Sequence, residues 1–207
     1  MPSTRVTETY SGRGSGLWIA LGVLAVAATI SGCAAVVLGG AAVGAAAIHD
    51  RRDYTDLLDD QEIELRAAAA LSADKTLGGR SRIAVTSYNH KVLLTGQVET
   101  AAAAAHAANQ VSRLPKVEQV VDEVTIGAPI SLMRQSEDVL VTSRSKFALT
   151  KIRLPEFDPT RVKVVTEGGV VYLMGLVSYD EADAAAEQVR YVPGVKRVVK
   201  LFEYRET

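Results

Sequence analysis

The chain of 207 residues has one cysteine, three histidines, few aromatic residues and almost no net charge. A single cysteine excludes an internal disulfide, so the folded part depends on packing alone. The formal charge of −1 and the absence of a basic arm argue against binding to nucleic acid. Because aromatic residues make up only 5 % of the chain, the core must be built from Val, Leu, Ala and Ile.

The chain also lacks the residue groupings that catalysis or metal binding would need. Its histidines, His49, His90 and His106, have no partner at metal-ligand spacing. The acidic residues at 180–187 surround a predicted helix start, where carboxylates interact favourably with the helix dipole. No nucleophile with a base and an orienting group is recognisable. We therefore expect a protein that is not an enzyme, with no metal ion and no dissociable cofactor.

The one cysteine, Cys33, stands where an N-terminal apolar run ends. Arg5 and Arg13 precede the apolar residues 17–30, and Ser31-Gly32 precede the cysteine. These features are typical of a secretory signal, and Ile30-Ser31-Gly32-Cys33 resembles a bacterial lipobox. The resemblance implies cleavage after residue 32, and diacylglycerol and an N-acyl chain on Cys33. The alternative is an uncleaved membrane helix, because residues 17–48 are long enough to span a bilayer.

The lipobox resemblance also predicts a location. It implies a lipid-anchored protein of a Gram-negative bacterium. Residue 34 is Ala rather than Asp, so nothing suggests retention in the inner membrane. We expect the protein in the outer membrane, facing the periplasm. Residues 34–48 are apolar and of low complexity, and residues 33–59 are predicted to be a tether.

The rest of the chain is an internal repeat, which is best sought before short motifs. Three segments recur in the same order, the first two at an offset of 79 residues and the third at 78. The pairs are 82–86 with 161–165, 91–98 with 170–177, and 115–121 with 193–199.

Each repeat shows the order helix, strand, strand, helix, strand. Apolar residues recur at helical spacing after Asp59-Asp60, which we interpret as N-cap candidates. Alternating strands flank turns at Asn89-His90 and at Gly168-Gly169. The final strands are predicted at 117–126 and 195–204. The fold class is therefore α+β, with a three-stranded mixed sheet in each repeat and two helices on one face of the sheet.

The repeats resemble BON domains. The resemblance rests on Val-x-Leu-x-Gly-x-Val, which ends at Val98 and Val177, and on the late Pro-Gly-Val-x-x-Val that begins at Pro193. It implies two tandem BON domains behind a lipid anchor. The predicted ranges are 1–32 for the signal peptide, 33–59 for the lipidated tether, 60–127 for the first domain, 128–135 for a linker and 136–207 for the second domain.

The first helix of the second repeat, predicted from Glu137 to about Ile152, mixes bulky apolar and basic residues. Leu140, Arg144, Phe147 and Lys151 form one stripe, which suits a helix lying on anionic head groups. Further basic residues follow in sequence, namely Lys146, Arg153, Arg161 and Lys163. The stripe has a second interpretation, in which Leu140 and Phe147 pack between the two repeats and the charges are solvated.

The BON resemblance favours the membrane interpretation. It implies that this helix binds anionic phospholipid such as phosphatidylglycerol or cardiolipin. It also implies a role in envelope integrity, with enrichment at division sites. Two alternatives stay open: an adaptor for outer-membrane assembly proteins or regulators of cell-wall amidases, and a periplasmic stress-protective BON protein.

Overall fold

The computed structural model describes residues 51–77 and 80–205. The predicted signal peptide and the predicted lipidation site Cys33 lie outside these residues. Residues 46–207 form one compact unit that contains the hydrophobic cores of the described residues. Because a unit with its own core can fold alone, this part can be studied without residues 1–45. No helix of the described part is long and apolar enough to cross a membrane.

The first repeat has the predicted order of elements. They are α1 (Tyr54–Ala73), β1 (Arg82–Tyr88), β2 (Lys91–Val98), α2 (Ala101–Ser112) and β3 (Gln119–Ile126). The central strand β2 pairs antiparallel with β1 and parallel with β3. Ile63 of α1 and Val111 of α2 are buried with Val92 and Leu94 of β2. Both helices therefore cover the same face of a mixed sheet, which confirms the predicted fold class.

The second repeat has the same plan with one interruption. Its elements are α3 (Leu132–Leu149), β4 (Lys163–Glu167), β5 (Val170–Met174), β6 (Leu176–Val177), α4 (Tyr179–Arg190), β7 (Arg197–Lys200) and β8 (Glu203–Tyr204). The strand predicted at 195–204 is in fact two short strands, β7 and β8. Phe202, between them, is buried in the core of this repeat. The break on the neighbouring strand falls at Gly175, where a Cβ would lie 2.6 Å from the carbonyl oxygen of Arg161.

Both first helices begin earlier than the sequence predicts. Helix α1 begins at Tyr54, within the predicted tether, so Asp59 and Asp60 lie inside the helix and are not its N-cap. Asp60 is buried, and its carboxylate accepts hydrogen bonds from the backbone N–H groups of Asn89 (2.7 Å) and His90 (2.9 Å). Asp60, which the sequence suggested as a helix N-cap, therefore binds the β1–β2 turn instead.

The second repeat has the same contact. The buried carboxylate of Asp138 in α3 accepts hydrogen bonds from the N–H groups of Gly168 and Gly169, each at 2.8 Å. In both turns the two central residues have positive φ, 50° and 64° in the first and 60° and 85° in the second. A two-residue hairpin of this kind is the turn that fits the twist of paired strands. One aspartate per repeat thus ties the first helix to the hairpin.

The two sheets face each other, and the helices lie outside them. Side chains of β2 alternate, so Leu94 faces α1 and α2 while Leu93 faces the other sheet. Leu93 and Tyr88 are buried in one cluster with Tyr172 and Met174 of β5. This cluster is why β2 is buried on both faces. The layers are helices, sheet, sheet and helices.

Polar contacts surround this cluster. Arg82 of β1 lies 2.8 Å from Glu167 of β4, and Arg197 of β7 lies 3.1 Å from Glu123 of β3. The hydroxyl of Tyr88 accepts a hydrogen bond from the N–H of Leu176 at 3.0 Å. Burial is the main reason why the pKa of the Tyr172 hydroxyl is raised, and nearby Glu123 raises it further. The two repeats therefore form one body through apolar packing and paired charges.

Candidate functional site

Helix α3 carries the predicted stripe and is positioned by its buried side. Its N-cap Ser131 accepts a hydrogen bond from the N–H of Arg134 at 3.3 Å. Val141 and Leu149 are buried against the second sheet and α4, and Ala148 is buried beside them. The opposite side of the helix has no element packed on it among the described residues and is left in solvent.

The structure brings the four predicted residues together on that outer side. Leu140 and Phe147 are exposed, with 65 % of Phe147 accessible to solvent. Lys151 lies just past the end of α3, and its ammonium is 5.0 Å from the centre of the Phe147 ring. Arg144 is exposed between them. The interpretation in which Leu140 and Phe147 pack between the repeats is therefore wrong, because that space is filled by the sheets.

Three further apolar side chains share the outer side and were missed in the sequence. Leu132 and Met133 are 80 % and 76 % exposed, and Val139 is also exposed. Leu132 and Met133 were missed because α3 begins before Glu137, the predicted start of the helix. Val139 lies within the predicted helix but was not assigned to the stripe. Ser131 was the available signal, since serine directly before an amphipathic run is a common N-cap. We call Leu132, Met133, Val139, Leu140, Arg144, Phe147 and Lys151 the outer face of α3.

The four supporting basic residues do not lie together. Lys146 and Arg153 are exposed on or just beyond α3. Arg161 donates a hydrogen bond to the carbonyl oxygen of Glu156 at 2.8 Å. Lys163 lies on the face of the second sheet that is turned away from α3. There its ammonium is 2.9 Å from Glu64 of α1. The prediction that Lys163 supports the stripe is wrong, because strand alternation directs it to the other repeat.

A groove of about 460 Å³ borders the outer face. Arg144, Phe147 and Lys151 form one wall, and Tyr191 and Pro193 form the other. Tyr191 is not among the site residues predicted from the sequence. Its ring is 70 % exposed, and the guanidinium of Arg190 lies 4.9 Å from the ring centre. The signal for it in the sequence was the pair Arg190-Tyr191 at the end of a helix, where a cation stands beside an aromatic residue.

Comparison with known proteins identifies the repeats. The model of the BON domain family matches residues 59–128 and 138–206. The chain belongs to the BON domain family. We refer to the first and second repeats as the first and second BON domains. BON domains are non-enzymatic binding modules.

Two relatives cover most of the chain. The outer membrane lipoprotein DolP of Haemophilus influenzae is 33 % identical over 84 % of this chain and 90 % of its own length. The 21 kDa hemolysin of Actinobacillus pleuropneumoniae is 39 % identical over 75 % of this chain and 79 % of its own. Among solved structures, the CdsD protein of the Chlamydia trachomatis type III secretion system matches 69 % of this chain and 93 % of its own at 12 % identity, with a TM-score of 0.30. The relationship to DolP assigns the chain to the outer membrane lipoproteins.

The first helices of the two BON domains differ in charge. Helix α1 has five acidic residues and one basic residue, whereas α3 has two acidic residues and three basic ones. Of the two acids in α3, Asp138 is buried and Glu137 lies 2.5 Å from Arg134. Helix α1 also exposes apolar side chains, Tyr54, Leu58 and Leu65. Charge, rather than exposed apolar area, therefore distinguishes α3.

The described histidines serve local structure. His106 of α2 contacts the carboxylate of Asp74 at 2.7 Å, just after α1. Hydrogen bonds from Thr76 and from His106 lower the pKa of Asp74 to about 2. His90 lies in the β1–β2 turn, 3.6 Å from Asp59 and 3.5 Å from Glu118. Among the described residues no group of three or more His, Cys, Asp or Glu side chains could hold a metal ion.

Proposed function

We propose that this outer membrane lipoprotein binds anionic phospholipid through the outer face of α3 in its second BON domain. The observation that carries the proposal is the composition of that face. Five bulky apolar side chains are exposed beside Arg144, Lys146 and Lys151, and the one exposed acid of the helix is already paired. An exposed apolar patch with a basic border indicates a membrane or a partner surface.

The chemistry of the face fits the border between head groups and acyl chains. A helix that lies in this border buries its apolar side chains and places basic side chains among the phosphates. The long side chains of Arg144 and Lys151 reach the phosphates while Phe147 and Leu140 enter the acyl region. Each basic residue near an anionic surface contributes about 1 kcal/mol at ordinary ionic strength. The net positive charge supports a preference for phosphatidylglycerol or cardiolipin.

The acyl chains proposed on Cys33 would have one role, and the outer face of α3 would have another. Each buried methylene contributes about 0.8 kcal/mol, so three chains would keep the protein in the outer membrane. The outer face of α3 would then select anionic lipid and set the orientation of the BON domains facing the periplasm. A second contact of this kind supports a role in envelope integrity, and local anionic lipid would enrich the protein at division sites.

Vesicle binding by residues 46–207 tests the proposal. We expect strong sedimentation with vesicles of phosphatidylcholine and phosphatidylglycerol, and little with phosphatidylcholine alone. Phe147→Glu should weaken binding at least tenfold, because it removes an apolar contact and adds a repelled charge. Leu65→Glu is the matched control, since Leu65 is 67 % exposed on α1. Equal binding to both vesicle types, or equal loss in the two variants, would contradict the proposal.

Crosslinking in cells separates lipid binding from the adaptor alternative. A photoreactive residue is placed at position 147 of the full-length chain, and the adducts are analysed by mass. Phospholipid adducts are expected. Adducts that contain only outer-membrane assembly proteins or amidase regulators would instead assign the outer face of α3 to protein binding.

A further inference from the structure

The groove beside α3 brings apolar and cationic side chains together in one concave site. Its floor is apolar, since Ala148 and Val192 are almost fully buried there. The aromatic rings of Phe147 and Tyr191 stand on opposite walls and are both largely exposed. The groove therefore offers an apolar channel between two rings.

The charged groups of the groove are cationic. Arg144 and Lys151 line it, and none of the lining residues is acidic. The guanidinium of Arg144 reaches across to the carbonyl oxygen of Pro193 at 3.4 Å, a length at which an incoming anion competes easily. The ammonium of Lys151 lies near the Phe147 ring rather than beside a carboxylate. The charge of the groove thus complements an anion.

We infer that this groove holds one anionic phospholipid molecule. Its phosphodiester lies beside Arg144 and Lys151, and the first acyl carbons lie between Phe147 and Tyr191 over Ala148 and Val192. The volume of about 460 Å³ falls in the range of about 300–1,000 Å³ that small-molecule sites occupy. It suits a head group with the start of an acyl chain, and the remaining chain stays in the bilayer.

This site rests on the proposed function, because it takes the same lipid class, but it makes a distinct claim. A surface contact responds to the average charge of the membrane, whereas a groove binds one molecule and saturates. The far wall, with Tyr191 and Val192, lies outside α3. Loss of that wall should therefore remove saturable binding while the outer face of α3 remains.

A short-chain lipid below its critical micelle concentration tests the groove without a membrane. Dihexanoylphosphatidylglycerol is titrated into residues 46–207 and followed by NMR. We expect one saturating site, with shifts at Ala148, Tyr191 and Val192. Dihexanoylphosphatidylcholine should bind about tenfold more weakly, since it carries no net charge. Glycerol phosphate tests whether a free phosphate ester, without acyl chains, also binds the groove. It should give no saturating shift.

Variants at the two ends of α4 provide the matched comparison. Tyr191→Ala should weaken the short-chain lipid about tenfold, as expected for one lost aromatic contact, and Tyr191→Phe should retain it. Tyr179→Ala, at the other end of α4 and 68 % exposed, should change nothing. Circular dichroism verifies that each variant is folded.

The outcomes separate the two claims. Three results would overturn the proposal that the groove holds a lipid. They are binding that does not saturate, equal affinities of the two alanine variants, and shifts confined to Leu132, Met133 and Val139. Anionic vesicle binding that persists in such a case would leave the proposed function intact. Vesicle binding without preference for anionic lipid would overturn the proposed function, whatever the short-chain lipid does.

Discussion

Asp60 and Asp138 show how single residues specify the repeated fold. Each sits in the first helix of its BON domain, is buried, and accepts two N–H groups from a hairpin turn. The N–H groups of such a turn converge on one side, and they need an acceptor once a helix covers them. A carboxylate has enough acceptor sites for both. The sequence shows the two aspartates at an offset of 78, but not their contact.

Asp138→Asn tests this contact. The amide keeps one acceptor oxygen and turns an NH₂ group toward one of the two glycine N–H groups. We expect the free energy of unfolding to fall by about 2 kcal/mol. The variant loses one hydrogen bond to a charged group, and it leaves one buried N–H donor without an acceptor. Urea unfolding measures it. Asp122→Asn on β3, where the side chain is exposed, is the control, and an equal loss there would contradict the assignment.

At the scale of elements, the start of α4 fastens the chain before α1 to the second BON domain. Ser178 and Glu181 form a capping box, in which each side chain accepts a hydrogen bond from the other's backbone N–H. Glu181 also pairs with Arg51, with oxygen to nitrogen distances of 2.7 and 2.9 Å. Arg51 precedes α1, so this pair fixes the point at which the chain enters the folded body.

This pair predicts a pH dependence of stability. Burial opposes the charge on Glu181, but the hydrogen bonds from Arg51 and Ser178 and the charge of Arg51 together hold its pKa below the ordinary value of a glutamate. A lowered carboxyl pKa stabilises the fold above the unfolded value, and this contribution is lost as the pH falls through the folded pKa.

We therefore expect Glu181→Gln to lower the urea midpoint at pH 7 and to make its decline between about pH 5 and pH 3 shallower. Unfolding curves across this range measure both effects. Glu187→Gln, an exposed position on the same helix, should leave the decline unchanged. A parallel decline in wild type and Glu181→Gln would show that the pair does not contribute.

At the scale of the whole molecule, the two BON domains share a core. Leu93 of β2 is fully buried against Tyr172 and Met174 of β5. Neither sheet could leave this apolar face in water without losing its hydrophobic stabilisation. The domains are therefore expected to unfold together, and the outer face of α3 keeps a fixed orientation relative to the first domain.

Hydrogen exchange in Leu93→Ala and Leu94→Ala tests the shared core. Each variant should cost about 3 kcal/mol, as typical for a buried leucine. Leu94 faces the helices of its own domain, whereas Leu93 faces the second domain. Protection of amides in β5 should fall more in Leu93→Ala. Unchanged protection of β5 in that variant would mean that the domains unfold separately.

Sequence patterns by themselves determined the repeat, the order of elements and the side of each strand that faces its helices. They could do so because these depend on local periodicity and on turn residues such as Gly168-Gly169. The stripe of Leu140, Arg144, Phe147 and Lys151 was also visible, since helical spacing places it on one side. The lipidation of Cys33 and the binding of phospholipid stay predictions.

Only the tertiary structure decided what covers the second face of each sheet. Alternation shows that Leu93 and Tyr172 share a face with polar residues, but their burial depends on a partner sheet far away in sequence. The same packing directs Lys163 to Glu64, leaves Phe147 in solvent and brings Tyr191 opposite α3. Contacts between distant segments are fixed by the shape of the whole core, and no local pattern records them.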